Sequence, residues 1–203
     1  ANYKVISNCQ TILSSADADA GAKGFAQTVQ AYCLMRVLYL TDTNGARLNY
    51  DGDITAAVAT KAEVLAEVES LLDAGLANLN SAGSAFSFTL SSGFDGFNTP
   101  STFAHFNRGL RARAAVHQDD WSAAQTALTS CTDWMNSADG DVGVYHVFSS
   151  GANDFDNSMY EAPDAATLKL MVHPTFLTDA DEGDARVTNN VLVRSDTITY
   201  DGL

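Results

Sequence analysis

Basic side chains are scarce in this sequence. Eleven Lys+Arg, only four of them lysine, stand against 25 Asp+Glu, giving a formal charge of −14 over 203 residues. Phosphate binding needs clustered Lys and Arg, so this balance argues against a nucleic-acid partner. Long apolar runs are missing as well: no stretch approaches the roughly 18–20 residues that span a bilayer. No basic, apolar leader with a small-residue cleavage site precedes the first helical pattern. The chain starts at Ala1 without Met and stops at "TITYDGL", which reads as part of a strand, so it is expected to be a piece of a longer protein. Cysteines number three, Cys9, Cys33 and Cys131, with no CxxC spacing. Each lies on an apolar helical stripe. Buried thiols are the expectation, and one disulfide plus a free thiol the alternative. HExxH, GxSxG, P-loop and GxGxxG motifs are absent.

What is present is a hydrophobic fraction of 46%, enough for a core. The acidity is built from 20 Asp against 5 Glu, with few long cationic stems. Such a surface suits concentrated salt, where screening removes self-repulsion. An ordinary acidic surface protein is the alternative.

Apolar spacing of three and four predicts the helices. Val5, Ile6, Cys9, Ile12 and Leu13 mark a first helix. Phe25, Val29, Tyr32, Cys33, Arg36, Val37 and Leu40 mark a second, apolar over much of its circumference and so central to the core. "TDTNGARLNYDGDITAA" is a loop with turn signals at Asn44-Gly45 and Asp51-Gly52. Val64, Leu65, Val68, Leu71, Leu72, Leu76 and Leu79 mark a third helix, with Thr60 and Glu63 as a capping box. Glycine-rich "SAGSAFSFTLSSGFDGFNTP" follows, its Phe86, Phe88, Phe94 and Phe97 expected to be pinned to the body. Phe103, Phe106, Leu110, Ala114 and His117 mark one helix face, and Trp121, Ala124, Leu128, Cys131 and Met135 the next. The short "QDD" between them forces an antiparallel hairpin capped by Asp120. After about residue 140 the character changes. "VGVYHVF" and "NSMYEAP" read as extended, and "RVTNNVLVRSDTITY" as a β-hairpin.

The order of "AKGFAQTVQAYCLMRVLYLTDTNG", "AEVLAEVESLLDAGLANL", "TFAHFNRGLRARAAVHQDDWSAAQTAL", "NSMYEAP" and "DEGDARVTN" resembles the central part of a SusD/RagB-family protein, from about Ala20 to Asp184–Arg186. Two family features differ: no proline follows the first of these helices in "TNGARL", and Ala185 replaces the proline of the family's Asp-Pro-Arg. The resemblance implies a mainly α fold of tetratricopeptide-like helical hairpins over 1–140, with long loops. A small mixed α/β C-terminal part is implied over 141–203. It further implies non-catalytic capture of a nutrient, most simply a glycan, at the outer cell surface. The ligand would pass to a SusC-like TonB-dependent transporter. The membrane would be reached only through a lipid anchor outside this chain. No cofactor is implied. A tetratricopeptide-like scaffold for a protein segment is the alternative, though a pure array keeps tight turns and a period of about 34 residues.

Sugar recognition favours loop aromatics flanked by hydrogen-bonding groups. Arg47, Asn49, Tyr50 and Asp51 form the best such cluster, against an ordinary exposed loop. Phe94, Phe97 and Trp134 are weaker candidates. Trp121 reads as packing that locks the hairpin. His105 and His117 are twelve residues apart on one helix and cannot share a metal. "DTNG", "NYDGD" and "DADEGD" are acidic like calcium loops but lack the frame with Glu at its end, and read as solvated. Asp119/Asp120 read as capping residues, not a glycosidase pair. Arg108, Arg111 and Arg113 cluster within six residues and are expected to meet neighbouring carboxylates such as Glu67 or Asp73.

If the composition is a salt adaptation, the thermal unfolding midpoint rises strongly between low and molar salt. Calorimetric scans at matched pH check this, and a flat response overturns it.

Overall fold

The computed structural model describes residues 2–53, 55–131, 142–151, 153–162, 165 and 171–195. The protein is mainly helical. Seven α-helices occur among the described residues: α1 Asn2–Ser14, α2 Ala20–Thr41, α3 Lys61–Ser81, α4 Pro100–Val116, α5 Trp121–Thr129, α6 Thr175–Thr178 and α7 Ala185–Asn190. The chain divides into two compact units, Ala1–Val147 and Phe148–Leu203.

The helix starts follow capping chemistry. Asp19 accepts the Ala22 N–H at 2.7 Å to begin α2. Thr60 and Glu63 form a reciprocal box at α3, and Thr99 and Thr102 form one at α4, where Pro100 occupies the first helical position. Asp120 accepts the Ala123 N–H at 2.9 Å to begin α5. Each such cap satisfies amides that the first turn leaves unbonded.

Helices α1 to α5 pack in sequence order, with α2 and α3 making the principal pair and α4 crossing both. Leu34, Met35, Val64, Val68, Leu72 and Ile6 are fully buried between them. On α1 only Ile6 and Cys9 reach this core, while Val5 and Ile12 stay exposed. Leu40, assigned by spacing to the α2 core face, is 85% exposed, whereas Leu38, two residues earlier on the opposite side of the helix, is buried. Helices α4 and α5 meet through Ala112, Ala115, Ala124 and Ala127. The three cysteines are buried and free.

The α2–α3 crossing is very close. A methyl on Gly24 would stand 2.9 Å from the Gly75 carbonyl oxygen and 2.7 Å from Leu79 Cγ. Beside this contact lies a buried polar network. Asn107 Nδ2 donates to Thr28 Oγ1 at 2.8 Å and to the Leu72 carbonyl at 3.0 Å. Arg108 Nε donates to Asn107 Oδ1 at 2.9 Å, and its Nη2 donates to the Leu72 carbonyl at 2.8 Å. Its Nη1 pairs with Asp73 at 2.9 Å. Arg111 pairs with Glu69 at 2.5 Å and lies 3.6 Å from Asp73. The arginine cluster thus ties α4 to α3. Asp73 is a partner as expected; Glu69, not Glu67, is the second, because Glu69 lies four residues before Asp73 on the same face of α3.

Loop 82–99 is pinned by aromatics. Phe25 and Phe103 lie 5.0 Å apart, and Phe86, Phe88 and Phe94 pack against Phe25 at 5.2–6.0 Å. These edge and tilted contacts account for the Phe-rich loop.

The second unit differs from expectation. Residues 185–190 form α7, not a hairpin strand. Asp184 caps it by accepting the Arg186 N–H at 2.9 Å, and that local bond commits the segment to a helical turn. Val191 follows with extended dihedrals, no helix or strand is assigned to 191–195, and 196–203 lie outside the described residues. Among the described residues the β content is two isolated bridges, Ala46–Ala59 and Phe148–Phe155.

Gly24→Ala is expected to destabilise the protein by about 1–3 kcal/mol through overpacking. Gly83→Ala, where nothing lies within 4 Å, is the control that leaves stability unchanged or higher. Urea unfolding of both variants measures the difference.

Candidate functional site

The loop joining α2 to α3 begins with an unusual residue. Asp42 closes α2 with φ 44° and ψ −118°, a conformation natural to glycine. A non-glycine residue there costs about 1–3 kcal/mol, and such strain concentrates at functional positions. The turn sends the Asp42 carboxylate toward Lys61 at the first turn of α3, where Oδ1 meets Nζ at 2.6 Å. That hydrogen bond, then the ammonium charge, holds the Asp42 carboxyl below the usual carboxylate range. The loop base is closed by reciprocal backbone bonds between Ala46 and Ala59 at 3.1 and 2.9 Å.

Next to this turn is a cleft of about 220 Å³ lined by Met35, Leu38, Tyr39, Asp42, Lys61, Leu65 and His117. The Tyr39 and His117 rings lie 5.3 Å apart at 43°. Met35, Leu38 and Leu65 make an apolar floor, and the charged pair and the two rings make a polar rim. Typical small-molecule sites measure roughly 300–1,000 Å³, so this cleft takes a single ring and leaves the rest of a ligand outside. Among the described lining residues Asp42 is the one carboxylate, so these residues do not supply the two facing carboxyls of a glycosidase.

The loop cluster chosen from sequence sits differently. Tyr50 is half-buried, packed against the main core. Its ring is therefore not an open stacking platform. Burial pushes the phenol up to about 12, and the neighbouring Gln30 amide pulls the other way without completing a hydrogen bond. Arg47 is half-buried and anchored by its backbone: Tyr3 Oη accepts its N–H at 2.9 Å and donates to its carbonyl at 3.1 Å. Asn49, Asp51 and Asp53 accept successive backbone N–H groups two residues on, from Asp51, Asp53 and Thr55, at 2.9, 2.9 and 2.8 Å. Asn49 and Asp51 are thus exposed but spend an oxygen each on shaping the loop. The structure brings the four residues into one loop without joining them into a pocket.

Other expectations change as well. Trp121 is 65% exposed and does not lock the hairpin, because alanines already bring α4 and α5 together. His117 is the C-cap of α4 and packs on Tyr39 rather than facing α5. Phe97 is 5% exposed and Phe94 packs within the phenylalanine cluster, so neither offers a free face. Trp134 and Met135 lie outside the described residues. Among the described residues no group of three or more His, Cys, Asp or Glu is placed to hold a metal. No helix is long and apolar enough to cross a membrane among those residues. Sequence reasoning missed Tyr39, Asp42 and Lys61. The first two straddle the end of an amphipathic pattern, and nothing local announces a positive φ at Asp42.

No protein-family model matches this chain, and no curated protein matches it.

Tyr50 generates a pH prediction. Its folded pKa lies above the ordinary phenol value of 10, so the unfolded chain releases the proton first as pH rises. Stability is full below about 10 and falls as pH climbs toward about 12. Tyr50→Phe removes that component. Urea unfolding across this range should show a shallower alkaline decline for the variant, and identical declines would overturn the assignment.

Proposed function

We propose that this chain is the helical part of a SusD-like protein that captures a glycan without chemistry and delivers it to a TonB-dependent transporter. In this reading α2–α3 and α4–α5 are tetratricopeptide-like hairpins, and the full-length protein is lipid-anchored at the outer cell surface. The observation that carries it is the cleft at Tyr39, Asp42, Lys61 and His117. Its ring pair suits the apolar face of a sugar, and a carboxylate beside an ammonium offers both an acceptor and donors to hydroxyls. The backbone strain at Asp42 is the mark of a residue held for its position. The long loops 42–60 and 82–99 set the chain apart from a tight repeat array. Arg47, Asn49 and Asp51 border the same α2–α3 loop and are secondary contacts for the part of a ligand outside the cleft.

The protein-scaffold reading rests on a different groove. Asp73, Arg108, Arg111, Asp120, Ser122 and Thr126 line an open space of about 690 Å³ along α3, α4 and α5. Arg108 there already makes four hydrogen bonds, to Asp73, Leu72 and twice to Asn107, which leaves it little to offer a partner.

Calorimetric titration of the full-length protein against a glycan panel tests the proposal. Tyr39→Ala and Asp42→Asn should each weaken binding by about tenfold, or roughly 1.4 kcal/mol. Asp42→Gly separates geometry from chemistry: it relieves the φ and should raise stability while still losing affinity. Binding to peptides but to no glycan would establish the scaffold reading instead.

A further inference from the structure

A second cleft lies elsewhere in the first unit, between loop 92–97 and residues 142–147. It measures about 440 Å³ and includes Asp95, Gly96, Phe97, His105, Tyr145 and Val147 in its lining. Its two walls are joined backbone to backbone. The Tyr145 N–H donates to the Gly93 carbonyl at 2.9 Å. A methyl on Gly93 would stand 1.9 Å from the Tyr145 carbonyl oxygen, so only glycine permits this approach. The segment carrying Tyr145 is thereby fixed on the loop, with Tyr145 left 53% exposed in the cleft. Phe97 is buried beneath, and Val142 and Val147 add apolar walls.

Among the described lining residues no lysine or arginine occurs, Asp95 is the one carboxylate and His105 the one imidazole. Asp95 is not consumed by an ion pair among the described residues. Its Oδ1 accepts the adjacent Gly96 N–H at 3.1 Å, which leaves the second oxygen available. The chain as a whole carries −14, so its field concentrates cations near every cleft.

We propose that this cleft binds a small organic cation, an ammonium or quaternary ammonium with an apolar body. A carboxylate supplies the opposite charge. The part-exposed Tyr145 ring attracts the cation through its quadrupole, and the apolar walls accommodate its methyl or methylene groups. A neutral sugar would use the ring and the carboxylate as an acceptor but would gain nothing from the carboxylate's charge, which is what the neutral isostere below tests. The site shares no residue with the Tyr39–Asp42 cleft, so its success or failure is independent of the glycan reading.

Choline chloride is the probe, with 3,3-dimethylbutanol as its neutral isostere, titrated into the protein by calorimetry and NMR at fixed ionic strength. Choline should bind and shift the Gly96 and His105 signals, with the isostere weaker by about tenfold. Asp95→Asn and Tyr145→Ala should each reduce choline affinity to a similar degree, whereas Tyr145→Phe retains it. Gly93→Ala should abolish binding by displacing the Tyr145 segment. Asp95 is exposed, so Asp95→Asn is expected to melt as the parent does, which separates lost binding from lost folding. Equal affinity for the isostere, an unaffected Asp95→Asn, or shifts spread evenly over the acidic surface would overturn the proposal.

Discussion

The close approach of α2 and α3 at Gly24 and Gly75 sets the position of almost everything else in the first unit. With no side chain at either residue, the two backbones come near enough for Thr28 to sit beside the α3 carbonyls. Asn107 then bridges from α4 to both helices at once. Its amide satisfies Thr28 and Leu72, and its own oxygen receives Arg108. A buried polar network contributes only when every member is satisfied, and these members largely are. A larger residue at Gly24 or Gly75 would separate the helices and strand Asn107 between them. The network also explains why Arg108 tolerates burial in the core of an acidic protein. Its charge is matched by Asp73, and most of its remaining donors are taken by neutral acceptors.

Pairing of this kind recurs. Arg108 and Arg111 face Asp73 and Glu69, and Lys61 faces Asp42. Each of these cations takes a carboxylate with it, so the pairing leaves the formal excess of −14 as the composition gives it. A surface of that kind repels anionic polymers and concentrates cations. The two clefts differ in this respect: Lys61 pairs with Asp42 in the first, whereas Asp95 has no lysine or arginine beside it among the described lining residues of the second.

Periodicity and capping residues made the helices legible. The spacing of Val64, Leu65, Val68, Leu71 and Leu72 sufficed for α3, and Thr60–Glu63 and Asp120 marked helix starts by a local bond that needs no tertiary context. Periodicity identifies a buried face but not what covers it. Trp121 looked like the hairpin lock because it is large, yet four alanines close that interface and leave it outside. Tyr50 looked like a platform because its loop is polar, yet the loop folds its ring inward. The segment from Arg186 onward is β-branched enough to suggest strands, but the Asp184 cap starts a helix there before any partner strand can be met. The cleft at Asp42 was illegible for a further reason. It joins the ends of α2 and α4 to the start of α3, three places far apart in sequence whose conjunction is fixed only by packing.

The α2–α3 loop is also where the structure accepts unfavourable local terms. Asp42 is held at a positive φ. Inside the same loop, Tyr50 buries its hydroxyl without a hydrogen bond, close to a Gln30 amide nitrogen that is equally unsatisfied. An orphaned buried polar group costs about 1–3 kcal/mol, comparable to the backbone strain at Asp42. Neither feature is needed to join two helices, since a glycine at 42 and a phenylalanine at 50 would do so with less strain. Their presence together, at the rim of the cleft and in the loop beside it, argues that this edge of the scaffold is shaped by what it must contact and not by folding alone. Such terms are not confined to this loop: Asp119 turns the α4–α5 hairpin at φ 58°, and Arg111 Nη1 on α4 is buried with an ion pair but no hydrogen bond. What sets the α2–α3 loop apart is that backbone strain and an orphaned hydroxyl occur in the same connection.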